Sequence, residues 1–178
     1  MEIKEHPLSK FKYCPKCGSE RFEIITSKEK KCEECNFKYS YKVSGGVAVI
    51  IRDKNDKILL TKRKFDPSKG TLDLPGGFID IGENAEKTCE RELKEETGLI
   101  LNIDKLKYLF SLPNIYSYSN FNVYTLDLFY EYLIDEFRNL NPSDDVDEIL
   151  FVDKNQLDPE KFGLKSIKEG IKKYINEF

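Results

Sequence analysis

The apolar and polar positions along the chain predict a strand-rich body. Short apolar runs, typical of strands buried in a sheet, occupy residues 46–52, 57–63, 100–112, 121–132 and 149–152. The first two runs flank an Asp-Lys-Asn-Asp sequence, which has the composition of a tight turn. A Ser-Gly-Gly sequence at 44–46 marks a joint ahead of them. We therefore expect a main domain over residues 44–178 and a separate small domain over residues 1–43.

Two segments carry the signals of helices. Asn84 is a suitable N-cap and Gly98 a suitable terminator, so a helix is predicted from about residue 85 to about residue 97. In the tail, apolar residues recur at helical spacing between Leu164 and Phe178, which predicts a helix packed on the core. Strands combined with one central and one terminal helix predict an α/β fold.

Charge and hydropathy narrow the class of protein. The 178 residues include 29 basic and 32 acidic side chains, which give a net charge of −3. This balance does not favour nucleic acid or an anionic membrane as a partner. The longest apolar run, at 47–51, is far too short to span a bilayer, and the charged N-terminus does not have the pattern of a signal peptide. We expect a cytoplasmic protein.

Four of the five cysteines have the spacing of a metal site. They form two Cys-x2-Cys pairs separated by fourteen residues: Cys14, Cys17, Cys32 and Cys35. Thiolates at this spacing can converge on one tetrahedral Zn²⁺, and a four-thiolate site is closed and therefore structural. The N-terminal segment is predicted to be a zinc ribbon, with a strand at about 21–25. Cys89, in the predicted central helix, is interpreted as a core thiol.

Acidic residues in the predicted central helix have a spacing that suits a divalent cation. Residues 77–99 follow the rule G-x5-E-x7-R-E-U-x-E-E-x-G-U, in which U is aliphatic. Because residues three and four apart share a face of a helix, Glu92, Glu95 and Glu96 point the same way and repel one another. A hard cation such as Mg²⁺ or Mn²⁺ removes that penalty. The glycines at 76 and 77, which follow Pro75, let the backbone approach a metal or a phosphate.

This stretch resembles the Nudix box at every specified position. The resemblance implies the mixed-sheet α/β/α sandwich of that family and the hydrolysis of a nucleoside diphosphate linked to another group. It assigns the divalent cations to four ligands: the side chains of Glu92, Glu95 and Glu96 and the carbonyl of Gly76. Glu83 and Arg91 correspond to a pair that bridges within the box, and they receive a structural role.

A four-cysteine ribbon ahead of a Nudix domain is similar to the architecture of NADH pyrophosphatases. Their specificity stretch is only partly matched by residues 111–119, which keep a serine, a proline and an aromatic residue but lack the glutamine and the tryptophan. We therefore expect ADP-ribose or a related ADP-linked nucleotide as the substrate, with AMP and a phosphate product. NADH or FAD pyrophosphatase, RNA-cap hydrolase and a non-catalytic Nudix-fold sensor are the alternatives. A homodimer is a possible assembly, since family members frequently dimerise.

Further candidates for the site lie outside the box. Arg63, Tyr116, Tyr118 and Phe121 are candidate substrate contacts, although the aromatic residues are equally compatible with ordinary strand and loop positions. The acidic segment at 144–148 resembles a family pattern that supplies an extra carboxylate, and it makes Asp145 and Glu148 candidates for the base that activates water. In some family members the residue corresponding to Glu92 is that base.

Overall fold

The computed structural model describes residues 5–118, 121–138 and 140–178, and the chain divides into two compact units that meet in sequence at Val43 and Ser44. The first unit contains a three-stranded antiparallel sheet. Its strands, in spatial order, are β1 (Phe22–Thr26), β2 (Glu29–Cys32) and β3 (Lys38–Ser40). Its small core is made by Phe22 with buried cysteines. Within the described residues, the length and apolar character of the helices fall short of what a membrane-spanning helix needs.

The second unit is built on one mixed six-stranded sheet. The strands are β4 (Ser44–Arg52), β5 (Lys57–Arg63), β6 (Leu72–Asp73), β7 (Lys107–Tyr118), β8 (Phe121–Leu133) and β9 (Val146–Asp153). They are ordered β6-β5-β4-β8-β7, and β9 pairs with β5. The β4–β8 pair is parallel and the other pairs are antiparallel. The helices are α1 (Ala85–Thr97) and α2 (Lys165–Glu177).

The two helices cover opposite faces of this sheet. Residues Val49, Ile51 and Leu59 pack with Cys89 and Leu93 of α1. The alternating residues of the same strands, Ile50, Ile58 and Leu60, pack instead with Ile167, Ile171 and Tyr174 of α2. Since successive side chains of a strand point to opposite faces, the result is the predicted α/β/α sandwich. Cys89 of α1 is completely buried, as its interpretation as a core thiol requires.

The predicted limits of α1 are confirmed by its caps. The side chain of Asn84 accepts a hydrogen bond from the N–H of Lys87, and Gly98 adopts the left-handed conformation with φ of 75°. The predicted strand at 100–112 is wrong at its start, because Ile103–Lys105 forms a 3-10 turn capped by Asn102 and β7 begins only at Lys107. The strand then continues through the stretch compared with the NADH pyrophosphatases. Pro113 is tolerated there because β7 lies at the edge of the sheet.

The loop that precedes α1 runs beside the first half of β4. The N–H groups of Val47 and Val49 donate to the carbonyls of Gly77 and Pro75 at 2.9 and 2.8 Å. The approach is close enough to require glycine at position 76, where φ is 147° and an added Cβ would lie 2.1 Å from the carbonyl oxygen of Val47. The fold thus fixes this loop against the centre of the sheet.

Candidate active site

Helix α1 carries the three box glutamates in three different environments. Glu96 is buried, with 4% of its surface exposed, and its carboxylate accepts a 3.0 Å hydrogen bond from the N–H of Gly76. Glu92 is mostly buried and lies against Gly77, where an added Cβ would come within 2.3 Å of its Oε1. Glu95 is half-exposed. The absence of a side chain at Gly77 therefore makes room for the Glu92 carboxylate.

Arg91 connects the loop to the helix and also contacts two of the predicted metal ligands. Its Nε and Nη2 each donate to the Glu83 carboxylate at 3.0 Å, and Nη2 donates to the carbonyl of Phe78 at 3.0 Å. Its Nη1 contacts Glu92 at 2.7 Å and Glu95 at 3.1 Å. The structure thus brings the predicted Glu83–Arg91 pair together. The contacts to Glu92 and Glu95 were not predicted from the sequence.

A loop from a distant part of the chain delivers Asp145 to this cluster. The N–H groups of Asn141 and Ser143 donate to the carbonyls of Thr97 and Glu96 at 3.1 and 3.0 Å, which fastens the loop to the end of α1. The N–H of Lys64 donates to the Asp145 carbonyl at 2.9 Å. The negative charge of Asp145 reaches the box, since it contributes to raising the pKa of both Glu92 and Glu96.

Glu148, the other candidate base, lies on the opposite face of the sheet. It is the register partner of Lys62, and the two side chains form an ion pair at 3.5 Å. The next positions on the same face, Leu60 and Leu150, pack in the cluster that contains α2. Because α1 covers the other face, the structure does not bring Glu148 together with the box glutamates.

The electrostatics of the cluster suit a cation. Burial, reinforced by Asp145, raises the pKa of Glu96 well above its ordinary value. Burial also raises the pKa of Glu92, although Arg91 opposes the shift. Carboxylates held in this way gain from a hard divalent ion, and oxygen donors are its preferred ligands. The donor set therefore fits Mg²⁺ or Mn²⁺, although the side chains have not converged on one point while Arg91 holds two of them.

A cleft that is partly open to solvent begins at this loop. Two predicted substrate contacts, Arg63 and Tyr116, line it together. The Arg63 guanidinium donates to Asp73 at 2.7 Å, to the carbonyl of Pro67 at 2.7 Å and to the Tyr116 hydroxyl at 3.3 Å. Burial raises the pKa of Asp73 to about 6, against the lowering effect of Arg63.

The structure adds Phe78 to the cleft. Its ring meets that of Tyr116 edge to face at 5.6 Å, and 42% of Phe78 is exposed. The sequence signal for Phe78 was its position directly after Gly77, the second glycine of the loop that precedes α1. Phe121 pairs with Tyr118 at the end of the β7–β8 hairpin and is not among the residues that line the cleft. The side chain of Tyr118 lies outside the part of the chain that the structure describes.

Polar residues at the floor of the cleft were also not predicted from the sequence. Asn114 on β7 and Thr125 and Asp127 on β8 line it, and a hydrogen-bond network joins them. The only signal in the sequence was an aspartate inside the otherwise apolar run Leu-Asp-Leu-Phe at 126–129. A single polar residue in a strand is too common to identify a site.

The four cysteines of the first unit form a compact cluster. Their sulfur atoms all lie within 4.8 Å of one another, and the Cys14–Cys35 and Cys17–Cys32 Sγ distances are 3.7 and 3.6 Å. A tetrahedral Zn²⁺ with Zn–S bonds of about 2.3 Å has S–S edges of about 3.8 Å, so the geometry fits. The cysteines are free rather than paired in disulfides. Among the described residues, only these four bring three or more ligand atoms so close.

The charges of the thiols agree with a cation at this position. The backbone N–H groups of Cys35 and Glu34 lower the pKa of Cys32 to about 6, which favours the thiolate. The N–H of Ser19 lowers the pKa of Cys17, but the other thiols around it outweigh this effect and raise it to about 12. Sulfur atoms crowded together cannot all ionise without a counter-charge, and Zn²⁺ supplies one.

Comparison with known proteins identifies the family. The family model described as NUDIX domain matches residues 43–178. The chain belongs to the Nudix family. The crystal structure of a NUDIX hydrolase from Nitrosomonas europaea is similar to it with a TM-score of 0.67 and 20% identity, over 93% of this chain and 91% of the other, and this likeness supports the fold.

Two curated Nudix relatives have named activities. An ADP-ribose pyrophosphatase from Methanocaldococcus jannaschii is 47% identical over 78 residues, which cover 43% of this chain and 46% of the relative. The NAD-capped RNA hydrolase NudC of Haemophilus influenzae strain PittGG is 29% identical over 109 residues, which cover 61% of this chain and 40% of the relative. The matches therefore span less than half the length of these relatives.

Proposed function

We propose that this Nudix protein is a metal-dependent hydrolase that splits the diphosphate of an ADP-linked compound. ADP-ribose is the proposed substrate, and AMP and ribose 5-phosphate are the products. The observation that carries the proposal is the acidic cluster of Glu92, Glu96 and Asp145 beside a cleft. The 47% identity to an ADP-ribose pyrophosphatase supports the choice of substrate.

The residues proposed to hold Mg²⁺ or Mn²⁺ are Glu92, Glu95, Glu96 and the carbonyl of Gly76. A divalent cation bound there would neutralise the diphosphate and lower the pKa of a water molecule. The hydrogen bond from the N–H of Gly76 to Glu96 fixes the loop and the carboxylate in one arrangement. Phosphoryl transfer requires mainly such positioning and charge neutralisation.

Asp145 is the proposed general base, and Glu148 is not retained for this role. Asp145 lines the cleft and lies beside the box glutamates, so it can accept a proton from the attacking water. Glu148 forms its ion pair with Lys62 on the far face of the sheet. Aspartate has a shorter reach than the glutamate of the family pattern, and the hydrogen bonds that hold its loop on the end of α1 make up for this difference.

The aromatic pair Phe78 and Tyr116 is proposed to hold the nucleotide. Both rings line the cleft, and base–aromatic stacking is a common mode of nucleotide binding. Arg63 is a candidate substrate contact, but each of its three guanidinium nitrogens already has a partner: Nε donates to Pro67, Nη1 to Asp73 and Nη2 to Tyr116. We therefore assign Arg63 the role of positioning Tyr116.

A hydrolysis screen tests the proposal. The full-length protein is incubated with ADP-ribose, NADH, FAD, diadenosine compounds, NAD-capped RNA and nucleoside triphosphates, each with Mg²⁺ and with Mn²⁺, and the products are separated by chromatography. The expected result is metal-dependent release of AMP, with the highest kcat/KM for ADP-ribose. A higher kcat/KM for NADH, FAD or capped RNA would show that ADP-ribose is not the preferred substrate. Metal-dependent binding without product release would indicate a sensor instead of a hydrolase.

A further inference from the structure

Asp127 presents a hydrogen-bond acceptor that is fixed in place at the floor of the cleft. Its Oδ2 accepts from the amide of Asn114 at 3.1 Å and from the hydroxyl of Ser166, which lies in the first turn of α2. Its Oδ1 accepts from the hydroxyl of Thr125 at 2.7 Å. The three donors are almost completely buried, with 2–3% of their surfaces exposed, so the carboxylate cannot rotate freely.

One acceptor position of this carboxylate remains open toward the cleft. A carboxylate oxygen can accept two hydrogen bonds, and among the described residues Thr125 is the one donor to Oδ1. Gly46 faces this atom, and a Cβ added to Gly46 would lie 3.1 Å from Oδ1. The absence of a side chain at Gly46 therefore leaves a space at hydrogen-bonding distance from Oδ1. The same added atom would lie 3.6 Å from the carbonyl oxygen of Gly77, so the space borders the loop that precedes α1.

The surroundings of this acceptor suit a nucleobase better than a phosphate or a sugar. The Asp127 carboxylate repels phosphate, whereas a divalent cation held by the box glutamates would attract it, so the diphosphate is expected at the other end of the cleft. The walls near Asp127 include the apolar side chains of Ala48, Leu164 and Ile167. Apolar walls with one fixed acceptor match the apolar faces and the amino group of a base, whereas a ribose presents hydroxyls in several directions.

We propose that Asp127 selects adenine by accepting a hydrogen bond from its exocyclic amino group. This inference rests on the proposed function, since it assumes that the cleft holds a nucleoside diphosphate. Hypoxanthine has the same shape as adenine but carries a carbonyl oxygen in place of the amino group. That oxygen would face the Oδ1 lone pair, so the hypoxanthine ligand loses a hydrogen bond and gains a repulsion.

The test compares ADP-ribose with its hypoxanthine counterpart, IDP-ribose, on the full-length protein. The wild-type protein is expected to have a kcat/KM for ADP-ribose at least about tenfold higher than for IDP-ribose. In Asp127→Asn the amide can donate to the carbonyl of hypoxanthine, so this ratio is expected to fall at least about tenfold. The ratio is insensitive to a partial loss of folded protein, because both substrates are measured on the same sample.

Two further variants complete the comparison. Asp135→Asn is the matched control, since Asp135 is exposed and pairs with Lys54 on the surface, and it is expected to keep the wild-type ratio. Gly46→Ala fills the space beside Oδ1 and is expected to lower the ratio, with Asp127 itself unchanged. Equal kcat/KM values in the wild-type protein, or a wild-type ratio in both Asp127→Asn and Gly46→Ala, would overturn the assignment of Asp127 to adenine.

Binding measurements separate this inference from the proposed hydrolysis. Calorimetric titration of the wild-type protein and of Glu96→Gln with the two ligands gives dissociation constants that do not depend on turnover. A protein that binds ADP-ribose at least about tenfold more tightly than IDP-ribose, but releases no AMP, would contradict the hydrolysis and support the adenine assignment. Hydrolysis of both compounds with equal dissociation constants would support the proposed hydrolysis and contradict the adenine assignment.

Discussion

The backbone N–H of Ser143 donates to the carbonyl of Glu96 at 3.0 Å, which fastens the loop before β9 to the last turn of α1. This contact joins residues 47 positions apart in the sequence and determines which acidic residue of the loop reaches the box. It brings Asp145 beside Glu92 and Glu96, whereas Glu148 enters the strand and pairs with Lys62.

Asp145→Asn is therefore expected to lower kcat for ADP-ribose by about 100-fold or more, because the amide cannot accept a proton. Glu148→Gln should change kcat by less than about twofold, since it removes only an exposed ion pair. Steady-state kinetics with saturating Mg²⁺ measures both variants, and Asp147→Asn controls for loss of charge in the same segment. A larger effect at position 148 than at position 145 would reverse the assignment of the base.

Glu96→Gln is expected to abolish turnover without weakening the fold. The amide oxygen can still accept the hydrogen bond from Gly76, but the loss of negative charge should reduce kcat by at least about 100-fold. Burial raises the pKa of Glu96, so ionising it at neutral pH costs folding free energy, and the neutral variant should unfold at an equal or higher temperature without metal.

Glu95→Gln should likewise lose turnover, whereas Glu90→Gln on the same helix is the matched control with activity retained. Glu90 contacts Lys87 and is not part of the acidic cluster. Near-wild-type kcat in both Glu95→Gln and Glu96→Gln would refute the metal-binding role of the box. Thermal unfolding and kinetics on the same samples distinguish loss of chemistry from loss of structure.

The first unit is expected to hold one Zn²⁺ per chain. Metal analysis of the purified protein should return one equivalent of zinc, and Cys32→Ser should lose it together with the ordered structure of residues 5–43, because zinc ribbons derive much of their folding free energy from the metal. Cys89→Ala removes a cysteine that lies in the other unit and should retain the metal. A folded, zinc-free wild-type protein would contradict the prediction.

The Glu83–Arg91 pair should give the stability of the protein a specific dependence on acid. Hydrogen bonds from Arg91, and then from the hydroxyl of Thr88, lower the pKa of Glu83 from 4.5 to about 2. A carboxyl whose folded-state pKa is lowered stabilises the protein fully above its unfolded-state pKa, and this stabilisation is lost as the pH falls through the folded-state pKa. Glu83→Gln should therefore be less stable than wild type at neutral pH, with a difference that shrinks between pH 4.5 and about 2.

Urea unfolding across that range measures this dependence. The control is a double-mutant cycle with Arg91→Met, in which Glu83→Gln should no longer change the pH dependence. A stability difference between the wild type and Glu83→Gln that stays constant down to pH 2 would show that Arg91 does not hold the ionised carboxylate.

Tyr116→Ala is expected to raise KM for ADP-ribose about tenfold, because it removes a ring proposed to stack on the nucleotide. Tyr116→Phe should raise it less than about threefold, since it loses only the 3.3 Å hydrogen bond from Arg63. Tyr108→Ala, at the far end of the same strand, serves as the control. An equal increase in Tyr116→Ala and Tyr116→Phe would assign the effect to the hydroxyl instead of the ring.

The sequence by itself determined the features that depend on neighbours within a few residues. Asn84 and Gly98 fixed the ends of α1, since a cap acts on backbone groups of the adjacent turn. The spacing of the glutamates placed them on one face of that helix. The two Cys-x2-Cys pairs were specific enough to predict the cluster whose sulfur atoms converge.

Only the tertiary structure decided the features that depend on pairing between distant strands. The register of β5 with β9 places Glu148 on the α2 face, and a shift of one residue would have turned it to the other side. Likewise, the pairing of β4, β7 and β8 brings Gly46, Asn114 and Asp127 together, although each is an ordinary strand residue in the sequence. Local rules cannot supply such contacts, because strand register is set by the packing of the whole sheet.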